Sequence, residues 1–128
     1  MKNLSVLIVE DDDSQISYLS YHLKKCNIRI IAASSGEQAL ELIKGKKIDL
    51  ALLDINLGKG MDGIKLMKTM RSFTDYRKIP FVAVTAYYNR DYFIDRNYFI
   101  DEGFNDFIPK PFKINQFITV INDHIVGE

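Results

Sequence analysis

Leu4-Ser5-Val6-Leu7-Ile8-Val9-Glu10-Asp11-Asp12-Asp13 is a short, mainly apolar run that stops at four consecutive acids. Apolar residues at successive positions suit a strand covered on both faces, whereas a half-exposed strand alternates with polar residues. The run is far below the roughly 20 residues that a membrane-spanning helix requires. It also lacks the small-residue cleavage site of a secretory signal, although Met1-Lys2 mimics the start of one. Working outward, the same grammar recurs in Leu50-Ala51-Leu52-Leu53-Asp54 and Phe81-Val82-Ala83-Val84-Thr85, each an apolar run finished by a polar residue. Strands are expected at 4–9, 28–32, 50–53, 81–84 and 104–108.

Helix-period stretches fill the gaps, near 13–26, 36–44, 62–72, 90–102 and 112–125. Ile16, Leu19, Ser20 and Leu23 recur at helical spacing, as do Phe117, Val120, Ile121 and Ile125. Ser34 and Glu37 have the spacing of a capping box, and Asp12 with Gln15 offers a similar start for the first helix. Five strand–helix alternations imply an α/β fold with a parallel sheet between two helical layers, because parallel neighbours need a helical crossover. No linker or composition shift divides the chain, so residues 1–128 are read as one domain.

Composition excludes several classes. A 128-residue chain that is 47% hydrophobic, with 17 basic and 17 acidic residues, has too much apolar content and too little net charge for a disordered tail. It also lacks the basic excess that drives nucleic-acid binding through counterion release. A lone cysteine, Cys26, forms no internal disulfide, which favours a reducing, cytoplasmic setting without membrane attachment.

Chemistry is expected where such a sheet binds ligands, beyond the carboxyl ends of its strands. The residues finishing the strands are Glu10-Asp11, Asp54, Thr85 and Lys110. Carboxylates gathered there repel, and either a retained proton or a divalent cation relieves them. An all-oxygen ligand set points to a hard ion; Mg²⁺ suits a site that keeps waters and a phosphate oxygen, with Mn²⁺ as a substitute. With Lys110 and the Thr85 hydroxyl added, the rim becomes a receptacle for a dianionic phosphoryl group. Asp54 directly follows a buried strand and therefore needs a partner, and Lys110 is presented between Pro109 and Pro111.

Leu7-Ile8-Val9-Glu10-Asp11, Leu52-Leu53-Asp54-Ile55-Asn56, Met61-Asp62-Gly63, Val84-Thr85-Ala86 and Lys110-Pro111-Phe112 together resemble the signature set of response-regulator receiver domains, in order along the whole chain. The resemblance implies a doubly wound (βα)5 flavodoxin-like fold with strand order 2-1-3-4-5. It implies that Asp54 accepts a phosphoryl group from the phosphohistidine of a sensor histidine kinase or histidine phosphotransfer protein. Asp11, Asp54 and the backbone carbonyl of Asn56 would hold Mg²⁺, with Glu10 acting through water. Lys110 would contact the phosphoryl oxygens, before a peptide bond to Pro111 that is cis in the family. Thr85 and Phe107 would form the switch, and Asn56 and Tyr87 would tune hydrolysis, the bulk of Tyr87 hindering water. The switched face would comprise the fourth helix, fifth strand and fifth helix, which also offers a phosphorylation-dependent dimer contact.

Some features depart from that pattern. Leu57-Gly58-Lys59-Gly60-Met61 is one residue longer than usual and places glycines where the family has a proline, which predicts a flexible loop beside the metal site. The stretch from Thr85 to Lys110 carries about three extra residues, assigned to Tyr88–Ile94. Tyr87, Tyr88, Tyr92, Phe93, Tyr98 and Phe99 make this region aromatic, through sheet packing or a partner patch. His22 and Cys26, four apart, and His124 are read as packing or solvated residues. Two other functions fit parts of the pattern: a haloacid-dehalogenase-type phosphatase using Asp11 and Asp13, and a receiver-like scaffold that binds partners without phosphorylation.

Overall fold

The structure is a computed structural model that describes residues 4–86 and 96–125. Five parallel strands, β1 (Leu4–Val9), β2 (Ile28–Ala33), β3 (Leu50–Asp54), β4 (Phe81–Thr85) and β5 (Asp106–Pro109), form a sheet in the order β2-β1-β3-β4-β5. Helices α1 (Asp13–Lys24), α2 (Gly36–Leu42), α3 (Gly63–Arg71), α4 (Arg96–Glu102) and α5 (Ile114–Ile125) alternate with them, and a 3-10 turn, Thr74–Tyr76, precedes β4. This is the expected strand order.

The consecutive apolar runs are explained by two cores. Side chains of one strand parity, including Leu7, Val9, Ala51, Leu53, Phe81 and Ala83, pack with Leu66, Met67, Met70, Phe99 and Phe104 from the α3 and α4 side. The other parity, Val6, Ile8, Leu50, Leu52, Val82 and Val84, packs with Leu19 and Leu23 of α1 and Phe117 and Ile121 of α5. β1, β3 and β4 are flanked on both sides within the sheet and have nearly every residue buried, as period-2 alternation between two covered faces demands.

Local chemistry moved several boundaries. Ser35, not Ser34, caps α2: its hydroxyl accepts from the Gln38 N–H at 3.1 Å, and Gln38 Oε1 accepts from the Ser34 N–H at 2.6 Å. Asp12 does cap α1, but it accepts from the Ser14 N–H and hydroxyl, not from Gln15 side-chain exchange. α1 stops before Asn27, whose φ of 61° turns the chain into β2. β5 starts at Asp106, two residues later than expected. Gly103 adopts φ 126°, and the Phe104 N–H returns to the Phe99 carbonyl at 3.0 Å, so buried Phe104 closes α4 instead of opening a strand.

Candidate functional site

Strand register alone brings the acids together. Val9 of β1 lies opposite Leu53 of β3, so Glu10 and Asp54 emerge side by side at the carboxyl edge of the sheet. Asp54 lies opposite Val84, and Thr85 opposite Pro109, which delivers Thr85 and Lys110 to the same edge. Backbone bonds extend these pairings: the Glu10 N–H donates to the Ala33 carbonyl at 3.0 Å, and the Lys110 N–H to the Thr85 carbonyl at 3.0 Å.

Glu10, Asp11 and Asp54 each offer a carboxylate oxygen within 4.8 Å of the others. Glu10 is 4% exposed, Asp54 7% and Thr85 2%, whereas Asp11 faces solvent. Lys110 Nζ donates to Asp54 Oδ2 at 2.9 Å and to Glu10 Oε1, and so bridges both buried acids. The other Asp54 oxygen accepts from the Asn56 N–H at 3.0 Å. Glu10 Oε2, by contrast, is buried without a hydrogen-bond partner among the described residues. Burial, with Asp54 beside it, pushes the Glu10 carboxyl from 4.5 up to about 7, against the pull of Lys110. Burial would lower the Lys110 ammonium, but its bonds to Glu10 and Asp54 outweigh that and raise it.

The Lys110–Pro111 peptide is cis, as the sequence resemblance implied. Phe107 is half-buried and lies flat on Phe99 of α4, with ring centroids 5.0 Å apart. Asn56 is exposed at the start of the β3–α3 loop. Tyr87, expected to tune hydrolysis, lies outside the described residues, as do the extra residues assigned to Tyr88–Ile94. Of the described aromatics in that region, Phe99 is buried and Tyr98 is 42% exposed.

The sequence description of the response regulator receiver domain matches residues 6–122. The chain belongs to the response regulator receiver family. Heme response regulator HssR of Staphylococcus epidermidis is 34% identical over 115 residues, 90% of this receiver and 48% of that protein. The chain thus spans about half the length of the curated relatives it matches. The receiver domain of sensor histidine kinase PA1611 from Pseudomonas aeruginosa superposes with a TM-score of 0.83 at 25% identity, covering 98% of this chain and 100% of that one. That structure has a magnesium ion coordinated in its active-site cleft. The non-phosphorylated HemR receiver domain of Leptospira biflexa is 26% identical, with a TM-score of 0.83 over 98% of this chain and 97% of that one. Chemotaxis protein CheY4 of Vibrio cholerae, 20% identical, shares the fold with a TM-score of 0.84 over 96% of this receiver and 99% of that protein. Membership in this two-component signalling family displaces the phosphatase alternative, and Asp13 sits in the exposed first turn of α1, outside the acidic cluster.

Three contacts of this receiver lay beyond the sequence reading. Glu37 reaches the β3–α3 loop, where its Oε2 accepts from the Met61 N–H at 3.1 Å. Arg71 donates to the carbonyls of Gly103 and Arg77 and to Asn105 Oδ1, and its guanidinium lies over the Phe81 ring. His124 is not a solvated terminal residue: its Nε2 lies 3.0 Å from Asp106 Oδ2. These pairs have no periodic signal, because all but the Arg71–Arg77 contact join segments distant in sequence through side-chain reach. No helix among the described residues is long and apolar enough to cross a membrane.

Proposed function

We propose that Asp54 is the phosphoacceptor of a two-component or phosphorelay pathway, loaded from the phosphohistidine of a sensor histidine kinase or histidine phosphotransfer protein. One observation carries this reading: a buried aspartate at the sheet edge, clustered with Glu10 and Asp11 and held by the ammonium of Lys110. In the transfer, an Asp54 oxygen bonds to phosphorus while the phosphorus–nitrogen bond of the donor breaks. The bond's electron pair leaves on the imidazole nitrogen, which takes up a proton. Lys110, bonded to Asp54, would contact the phosphoryl oxygens, and the buried Thr85 at the next strand end would bond them once they are added. Positioning and charge neutralisation are most of what such a transfer needs.

The donor set fits a hard divalent cation. Every ligand is oxygen, and Glu10 Oε2 is a buried oxygen with no partner among the described residues. Asp11, Asp54 and the Asn56 carbonyl would hold Mg²⁺, with Glu10 acting through water and Mn²⁺ as a substitute. When bound, the ion supplies positive charge to the oxygens of the incoming group. The added phosphate brings about −1.5 to −2 charges, which favour the arrangement that turns Thr85 toward it and repacks Phe107. Residues 1–128 act in this reading as one cytoplasmic receiver unit that catalyses only its own phosphorylation and dephosphorylation. Its balanced charge argues against direct nucleic-acid binding. Output passes through the α4-β5-α5 face to an effector or a second copy. The test is incubation with Mg²⁺ and a small phosphodonor, followed by mass mapping. Adduct at Asp54, lost in Asp54→Asn, is the expected result; adduct elsewhere, or none, overturns the assignment.

A further inference from the structure

The β3–α3 loop, residues 55–62, borders the acidic cluster on one side and the start of α2 on the other. Its neck is closed by the Gly63 N–H donating to the Ile55 carbonyl at 3.0 Å, and Leu57 anchors it in the core. Between those anchors lie Gly58 and Gly60, with φ of 75° and 94°, a conformation that lets the backbone run where side chains rarely follow. A Cβ on Gly58 would sit 3.6 Å from Asp11 Oδ2, so this stretch lies directly against the acidic cluster. A Cβ on Gly60 would sit 2.9 Å from Glu37 Oε2, so the far side lies directly against α2. Glu37 fastens that side through the Met61 N–H, and the Met61 side chain packs over Gly36, where a Cβ would meet its sulfur at 3.0 Å. The sequence predicts a slack loop; the structure supplies a tie from another element.

We infer that Glu37 is a positioning residue for the metal-holding loop: its carboxylate, by holding the Met61 N–H, presets the backbone around Asn56 to Gly60 for a divalent cation. The inference rests on the proposed role of the Glu10–Asp11–Asp54 cluster. It assigns Glu37 no contact with ion or phosphate. Ordering the loop before the ion arrives removes that cost from binding.

The test compares wild type with Glu37→Ala, Glu37→Gln and, as a control on the cluster itself, Asp11→Asn. Mg²⁺ dissociation constants are read by titration of the loop amides in NMR spectra, and Met61 amide exchange is read in metal-free protein. Glu37→Ala is expected to bind Mg²⁺ about three- to ten-fold more weakly, the worth of one such bond, and to speed Met61 exchange. Glu37→Gln keeps an acceptor oxygen and is expected to stay within about two-fold of wild type in both readouts. Unchanged affinity in Glu37→Ala overturns the inference. So does Glu37→Gln behaving like Glu37→Ala, which would make charge, not the hydrogen bond, the active feature. If Asp11→Asn leaves Mg²⁺ binding intact, the reading of the acidic cluster fails instead.

Discussion

Glu10 carries two burdens at once, a buried carboxyl and a neighbouring acid, and both favour its protonated form. Because its folded value lies above its unfolded one, its stabilising contribution is full below about pH 4.5 and lost as pH rises through about 7. In metal-free protein, thermal unfolding at pH 5.5 and 8 is therefore expected to show a decline of about 2 kcal/mol across that window, and Glu10→Gln to flatten it. Mg²⁺ is expected to run the other way: binding to the ionised cluster would make its affinity rise over the same range and restore stability at neutral pH. Lys110 acts as the resident cation until then. Lys110→Ala is expected to destabilise the metal-free fold by about 1–3 kcal/mol and to abolish phosphorylation, yet to tighten Mg²⁺ binding by removing a competing charge. Denaturant melts and ion titrations separate these effects. Glu10, Asp54, Thr85 and Lys110 were legible because each directly follows an apolar run, and a run's end marks the sheet's edge. Glu37 was not, because its partner is a backbone N–H that carries no sequence signal.

Elements were read most securely where burial on two faces left no ambiguity, as in β1, β3 and β4. The apolar pattern misleads where a local hydrogen bond outranks it: Phe104 resembles a strand residue, but Gly103 turns it back onto α4. The same corner is fastened by Arg71 at the end of α3, which holds the Gly103 carbonyl at 2.8 Å and Asn105 Oδ1 at 2.7 Å, while Asn105 also accepts from the Phe81 N–H. Lys68 adds an ion pair to Glu102 at 2.9 Å. Arg71→Ala is expected to cost about 1.5–3 kcal/mol in denaturant melts and to speed amide exchange at residues 103–105, since the half-buried Gly103 carbonyl loses its charged donor. Gly63 shows a sterner constraint. A Cβ there would lie 2.3 Å from the Asp54 carbonyl oxygen, against backbone that has no side-chain freedom to yield. Gly63→Ala is expected to lose about 3 kcal/mol and to shift the Asp54 amide resonance, through displacement of the strand end that presents the carboxylate.

At the scale of the molecule, a clasp fastens α3 to the α4–β5 corner, and in the proposed switch the Phe99–Phe107 stack is the part expected to repack. Phe107 stacked on Phe99 links β5 to α4, so a rotation of one ring changes the packing of the other. With Tyr98 and Ile100 exposed on α4, beryllofluoride is expected to convert monomer to dimer through α4-β5-α5, read as a shift in sedimentation velocity. A concentration-independent monomer with and without beryllofluoride would remove the dimer from the reading. The ion pair between Lys110 and Glu10 spans 100 positions of the chain. During synthesis the amino-terminal half emerges first, and its acids meet their cation only when the last strand leaves the ribosome. On the proposed reading, a prematurely terminated copy carries Asp54 without the lysine that bridges it to Glu10, and is expected to leave phosphate to finished molecules.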